Sequence, residues 1–487
     1  MPYSFSVAQP NRIIRVLLVQ CPEKHMSSIR YVFEELMVRI GFPISLSVSS
    51  NGERFDLQYG STIELPNVPF IRFDVSCYDP TTKFVSSGEP PIWHASGTHS
   101  LDEIDLIGGM FRLLAMLDES QISDDQRDRK GIFLTNSLPI DRKKVCDRVL
   151  VENHANAIKK LIGFQKDELP PFPIWPNGAK WSLLLTHDTD AVRASAWPEL
   201  VFNASKTLIR RDRVRFNLLK RGLRDRKIPF NNDALNGFEK WRAVTSDRGI
   251  RSAFFLFVRS KVKADLNDCR SSVADPKMNW DPLIRMLDEG WEFGYHPSIK
   301  AKMDIDEFIE SKFFIESKLD APIYGLRHHY WALDWKNPYL TYRMHVNAGF
   351  RYDLSNAWRD TFGFRSGTCL PFRPWDPIRQ RGLDMYVLPT SLMDGHIIGE
   401  TGYDGSGLFR AAPVLTEVES VSGMAVLDWH TESSLNILCY DGHLDLACEI
   451  LDYAINRSEI WITTPWEMVT WWHTRRKSLM KNSQLLR

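Results

Sequence analysis

From residue 181 onward the chain returns repeatedly to short apolar segments with helical stretches between them. These segments include Trp181–Thr186, Ala253–Val258, Trp291–Tyr295, Met385–Leu388, Gly423–Trp429 and Trp461–Thr464. Strands that alternate with helices are joined by crossovers, which favour parallel neighbours. The expected fold is therefore α/β, with an open or barrel-like parallel sheet.

A smaller α/β unit is expected before it. Ile13–Gln20 reads as a buried strand, and Ser27–Ile40 follows with Ile29, Val32, Phe33, Leu36, Met37 and Ile40 at helical spacing. Strand-like runs come next at Ile44–Val48, Arg54–Tyr59 and Phe70–Ser76, then a helical stretch over Leu101–Leu117. Leu169-Pro-Pro-Phe-Pro-Ile-Trp-Pro176 has too many prolines for a central strand and reads as a stiff connection. The expected division is residues 1–165, a Pro-rich linker over 166–180, and a catalytic domain over 181–480.

Composition narrows the function classes. Hydrophobic residues make up 43% of the 487 and charged residues 25%, enough for large cores. Lys+Arg and Asp+Glu both number 61, so nothing in the overall charge favours nucleic acid. The seven cysteines are scattered without CxxC spacing, which argues for reduced thiols. The first residues show no basic segment followed by an apolar run, and a cytoplasmic protein is expected.

The sharpest local signal is Trp181-Ser-Leu-Leu-Leu-Thr-His-Asp188-Thr-Asp190, an apolar strand running into two carboxylates one residue apart. Strand alternation puts Asp188 and Asp190 on one side, where they repel unless a cation intervenes or one takes a proton. One carboxylate can hold a divalent metal while the other activates water. Alone, such a pair is more often a solvated loop. It recurs here with Trp291-Glu-Phe-Gly-Tyr-His296, Gly325-Leu-Arg327-His328-His329-Tyr330-Trp331, Phe350-Arg-Tyr-Asp353, Gly363-Phe-Arg365-Ser-Gly-Thr368 and Val426-Leu-Asp-Trp429-His430. Single histidines are usually structural, but Asp, His and Arg at successive strand ends suggest one assembled site.

In the order of these pieces, residues 180–475 resemble the polysaccharide deacetylase superfamily of NodB-like type (carbohydrate esterase family 4). The N-terminal part resembles, more diffusely, a domain preceding this fold in a bacterial subgroup. The resemblance implies a distorted (β/α) barrel with a divalent metal, zinc in most members, at its C-terminal face. It implies Asp188 as general base, Asp190 and His296 as metal ligands and Arg327 as the arginine that holds the base. Asp353 would line the site or orient the late histidine, and His430 would be the general acid. One departure stands out: the family's second motif usually has a histidine four residues after the first, and here that position is Lys300. His329, or else His328, is the candidate for the missing ligand.

Arg365, Thr368 and Tyr330 are expected at the substrate, with Trp331 and Trp429 offering faces on which a sugar ring could stack. Lys206–Lys227 carries ten Lys/Arg against two Asp. It is either a solvated helical insertion or a patch that docks on an anionic membrane or a phosphate-bearing substrate. The expected activity is removal of an acyl group, N-acetyl foremost, from a sugar, glycan or lipid- or nucleotide-linked precursor. The alternatives are a silent glycan-binding relative, suggested by Lys300, and an amidase of a non-sugar C–N bond.

Overall fold

A computed structural model of the protein describes residues 12–97, 103–163, 171–190, 205, 236–258, 272–274, 276, 278–399, 403–435, 442–457 and 459–485. The basic segment Lys206–Lys227 lies outside them. Among the described residues no helix is long and apolar enough to cross a membrane.

The N-terminal part is built on a parallel sheet in the order β2-β1-β3-β4, with β1 at Ile14–Val19, β2 at Ile44–Ser47, β3 at Leu57–Gly60 and β4 at Phe70–Arg72. Helix α1 (Met26–Ile40) joins β1 to β2, and its apolar positions are buried. It stops at Gly41, whose φ is +78° and where a Cβ would come within 2.7 Å of the Phe172 carbonyl. A hairpin, β5 (Phe84–Ser87) and β6 (Ile92–Ala95), and helices α2 (Leu106–Leu114) and α3 (Leu150–Ile162) complete this part. The hairpin and α3 were not among the sequence expectations.

The second sheet has nine strands. Its path runs β14-β11-β10-β9-β8-β7-β16-β15, and β17 pairs with the start of β7. The strands are β7 (Trp181–Thr189), β8 (Ala253–Phe257), β9 (Glu292–His296), β10 (Gly325–Leu326), β11 (Tyr352–Asp353), β14 (Tyr386–Val387), β15 (Leu392–Met393), β16 (Met424–His430) and β17 (Ile460–Ile462). A separate ribbon, β12 (Trp375–Asp376) and β13 (Arg381–Gly382), lies off this path. Every pairing in the nine-stranded sheet is parallel.

The two ends of the path, β14 and β15, are joined by residues 388–391 alone, a link that reaches at most about 18 Å. A flat sheet of this width cannot meet that limit, so the sheet curls until its edges approach. The result is a distorted (β/α) barrel. Its helices are α4 (Asn236–Ser246), α5 (Asp281–Asp288), α6 (Ile305–Leu319), α7 (Pro338–Asn347), α8 (Asp394–Ile398), α9 (Gly407–Ser420), α10 (His443–Asn456) and α11 (Pro465–Met480). Capping fixes two of the starts: Asp304 accepts from the amides of Asp306 and Glu307, and Thr464 from that of Glu467, with Pro465 in the first turn.

One apolar core runs through both sheets, from Ile14 to Leu479. Phe172 and Trp175, from the Pro-rich segment, are buried against Trp471 and Trp472 of α11. Arg475 donates to the carbonyls of Val38, Phe172 and Pro173. Beyond α11 the chain bridges back to the first sheet at Ser45 and Gln484.

At the lower end of the barrel Glu292 accepts from the Trp466 amide at 2.8 Å and from the Tyr352 hydroxyl. Burial pushes its carboxyl up from 4.5 to about 7, against those hydrogen bonds. The folded protein thus keeps a proton that the unfolded chain releases near pH 4.5, so this group makes stability fall as pH rises from about 4.5 to 7. Glu292→Gln should flatten that part of the pH dependence of the urea midpoint. A variant curve parallel to wild type through the window would contradict this.

Candidate active site

The upper, carboxyl ends of the strands bring the titratable residues together. In β7 alternation turns Thr186 and Asp188 inward, while His187 faces outward between Trp241 and Phe254 with its Nε2 at 3.1 Å from Ser252 Oγ. In β16 the same alternation turns Asp428 and His430 inward and Trp429 outward, its indole donating to the His443 carbonyl at 3.0 Å. Residues 188 and 430 are register partners.

Arg327, just past β10, sits fully buried between these strands. Its Nε donates to Asp188 Oδ1 at 2.7 Å, its Nη1 to Thr186 Oγ1 at 2.6 Å, and its Nη2 pairs with Asp428 Oδ1 at 2.7 Å. The ring of Phe255 lies 4.9 Å from the guanidinium carbon. The strand that leads to Arg327 requires glycine at position 325, where a Cβ would fall inside the Tyr352 ring. One cation cannot neutralise two buried carboxylates. Burial, aided by the charge of Asp188 and opposed by Arg327, pushes the Asp428 carboxyl well above the usual range, toward the neutral acid.

Asp190, His296 and His329 form the second part of the cluster, with one ligand atom from each within 4.8 Å of the others. His296 Nε2 lies 3.1 Å from Asp190 Oδ1, and His329 Nε2 lies 3.3 Å from Asp190 Oδ2. His296 Nδ1 is 2.6 Å from the Arg327 carbonyl, which can only accept, so Nδ1 carries the proton. A neutral His296 then points a lone pair at a carboxylate oxygen. The contact is favourable only if the ring is cationic or a cation lies between them. Two imidazoles and a carboxylate, one ring fixed by a backbone carbonyl, are a donor set that suits a divalent transition ion. The residues fit the metal that the motif pattern implies. Lys300 is exposed at the start of the turn Ala301–Met303.

His430 completes the arrangement. Its Nδ1 is 3.0 Å from Asp394 Oδ1, its amide donates to Asp394 Oδ2 at 3.1 Å, and its Nε2 is 3.6 Å from Asp190 Oδ2. Asp394 also faces His443 Nδ1 at 3.4 Å. Burial alone would lower the His430 pKa, but Asp394 and then Asp190 outweigh it and hold the imidazole well above its ordinary range. Burial would raise Asp190, yet His329, His296 and His430 hold it well below the carboxylate range. Nearby Glu432 is pushed up to about 8 by burial and by the charge of Asp190. The side chains of Asp190 and His430 are 24% and 21% exposed, whereas His296 and Arg327 are 0% exposed. The cluster therefore opens on its Asp190–His430 side.

The structure brings Asp188, Asp190, His296, Arg327, His329 and His430 into this one cluster. Tyr330 stands at its edge, its ring 4.4 Å from that of His329 and its φ at +59°. The remaining expected residues lie elsewhere. Asp353 is fully buried and accepts from Ser355 N and Oγ at 2.7 and 2.9 Å, while Asp394 makes the contact to His430. Trp331 and Trp429 are buried, without a face open to a sugar. Arg365 is clamped by Glu119, with Nη2 to Oε2 at 2.7 Å, and stacks on Trp335 at 3.3 Å. Thr368 donates to Glu152 Oε1 at 2.5 Å and accepts from Arg39 at 3.1 Å. Arg365 and Thr368 thus join the barrel to the N-terminal part.

Sequence reasoning missed Asp394 and gave no role to Asp428. Asp394 follows a two-residue strand too short to register as apolar periodicity. Asp428 was legible, since it stands two residues before His430 and so on the same face.

Two outcomes are expected. Asp190→Ala and His296→Ala should each lose one equivalent of divalent metal from the purified protein, measured by mass spectrometry. Content equal to wild type would remove the metal assignment. Glu119→Leu strands a buried guanidinium and should cost about 3–5 kcal/mol in urea unfolding, with Glu119→Leu/Arg365→Leu recovering part of it. Additive losses would mean that Arg365 and Glu119 do not depend on each other.

No family model matches the sequence, and no curated protein matches it. Among solved structures, the chain is similar to a protein assigned as a polysaccharide deacetylase from Mycobacterium smegmatis, at 14% identity and a TM-score of 0.41, over 62% of this chain and 93% of the other. It is similar to Puue allantoinase at 14% identity and a TM-score of 0.39, over 63% and 94%. A second protein assigned as a polysaccharide deacetylase, from Pseudomonas aeruginosa PAO1, is similar at 15% identity and a TM-score of 0.38, over 63% and 95%.

Proposed function

We propose that the chain is a metal-dependent hydrolase that removes an acyl group, N-acetyl foremost, from a sugar, glycan or glycan precursor. The observation that carries this reading is the placement of a clamped carboxylate, Asp188, and a carboxylate-paired imidazole, His430, around Asp190, His296 and His329.

Asp188 is held by Arg327 at 2.7 Å and lies 3.4 Å from His296 Nδ1, so its position is fixed before substrate arrives. In this reading it accepts a proton from the attacking water. His430, kept protonated by Asp394, delivers a proton to the leaving nitrogen as the C–N bond breaks, and the water oxygen ends in the released carboxylate. A divalent ion held by Asp190, His296 and His329 would supply Lewis acidity at the carbonyl and a lowered pKa for the water. Asp428 keeps the second side of Arg327 occupied, so the guanidinium cannot swing away from Asp188. Tyr330, at the edge of the cluster with Lys130 and Arg359 over its ring, is the substrate contact in this reading through its hydroxyl edge rather than a stacking face.

The test is acetate release from N-acetylated sugar oligomers. Asp188→Asn and His430→Ala should each lower kcat by roughly two to four orders of magnitude with the fold intact. Wild-type turnover in either variant would overturn the assigned roles. Oligomer binding without acetate release by the metal-loaded wild type would favour the silent, glycan-binding alternative.

A further inference from the structure

A second group of metal-capable side chains lies inside the barrel. His328, His345 and Asp353 are each 0% exposed, and one ligand atom from each lies within 4.8 Å of the other two. They come from three elements: the segment after β10, the last turn of α7 and the end of β11. None has a task in the reaction proposed above.

Hydrogen bonding among the three does not satisfy them. The Nε2 atoms of His328 and His345 are 3.0 Å apart, so one ring donates and the other accepts. His345 Nδ1 faces Asp353 Oδ2 at 3.6 Å, beyond hydrogen-bond reach. Both Nδ1 atoms are buried without a hydrogen-bond partner among the described residues. If His328 donates, its own Nδ1 keeps a buried lone pair that meets no donor. If His345 donates, its Nδ1 lone pair faces the carboxylate and the His328 Nδ1–H meets no acceptor. Neither tautomer closes the network, and buried polar groups left open are costly.

A cation accepts lone pairs that lack protons. We propose that His328, His345 and Asp353 hold a second divalent transition ion of the zinc class, separate from the group at Asp190. Two imidazoles and one carboxylate are donors that zinc takes. The surroundings are already arranged around them: Ser355 donates twice to Asp353, and its Oγ accepts from the His328 amide at 2.9 Å. With every protein ligand closed to solvent, this ion is structural. It ties β10, α7 and β11 together directly beneath the segment that carries Arg327 and His329.

The test counts zinc in the full-length protein after EDTA treatment, re-equilibration with ZnCl2 and desalting, with CoCl2 in parallel for visible spectra. Two equivalents are expected in wild type, one in Asp190→Ala, one in His345→Leu and none in the double variant. Cobalt-loaded Asp190→Ala should show d–d bands that the double variant lacks. A wild type with one equivalent and an Asp190→Ala with none would overturn the proposal, as would His345→Leu with the wild-type count. If His345→Leu fails to fold, the Asp190→Ala count and spectrum decide alone. A single ion that survives Asp190→Ala and vanishes in His345→Leu would support this inference and overturn the metal assignment at Asp190.

Discussion

The Arg327 guanidinium is the interaction on which the upper end of the barrel depends. It bridges side chains from β7 and β16, Asp188 and Thr186 on one and Asp428 on the other, from a position just past β10. A buried arginine is tolerated only when its charge is matched, and here Nε and Nη1 are hydrogen-bonded while Nη2 is ion-paired with Asp428. Its backbone carbonyl has a second task, since it fixes the tautomer of His296 and so aims Nε2 at Asp190. A single residue thereby sets the position of the Asp188 carboxylate and the orientation of the His296 imidazole. Lysine could supply the charge but not the fork that reaches three partners.

The electrostatics follow from this placement. Several carboxylates crowd the strand ends, and they do not share one state because they meet different partners. Asp190 is held ionised by three imidazoles, Asp394 is held low chiefly by His430 against its own burial, and Asp428 is pushed toward the neutral acid. Separation of neighbouring carboxyl groups in this way is what acid–base chemistry requires of a site. The exposed side of the cluster coincides with Asp190 and His430, so access and protonation are arranged around the same atoms.

Much of the barrel was legible because its longer strands are apolar runs that end on chemistry. Trp181–Thr189 and Met424–His430 announce both their strand character and their inward-facing carboxylates. Strands of two residues, such as those at Gly325–Leu326, Tyr352–Asp353 and Leu392–Met393, give no periodicity, and only their flanking motifs mark them. Arg365 and Thr368 illustrate the opposite limit. Their glycine-bearing turn looks like a substrate loop in sequence, but Glu119 and Glu152, more than 200 residues earlier, claim both side chains. Local pattern cannot reveal a partner at that separation. Nor can it separate His328 from its neighbour His329, which differ only in the direction that the turn gives them.

The most direct measurement is acetate release from N-acetylated sugar oligomers by the chelator-stripped protein, followed as ZnCl2 or CoCl2 is returned. Turnover should be absent without metal and should recover as the ion at Asp190, His296 and His329 is restored, in proportion to that site's occupancy. Hydrolysis that persists unchanged in the fully stripped protein, or that fails to appear at any metal occupancy, would contradict a metal-dependent acyl hydrolase.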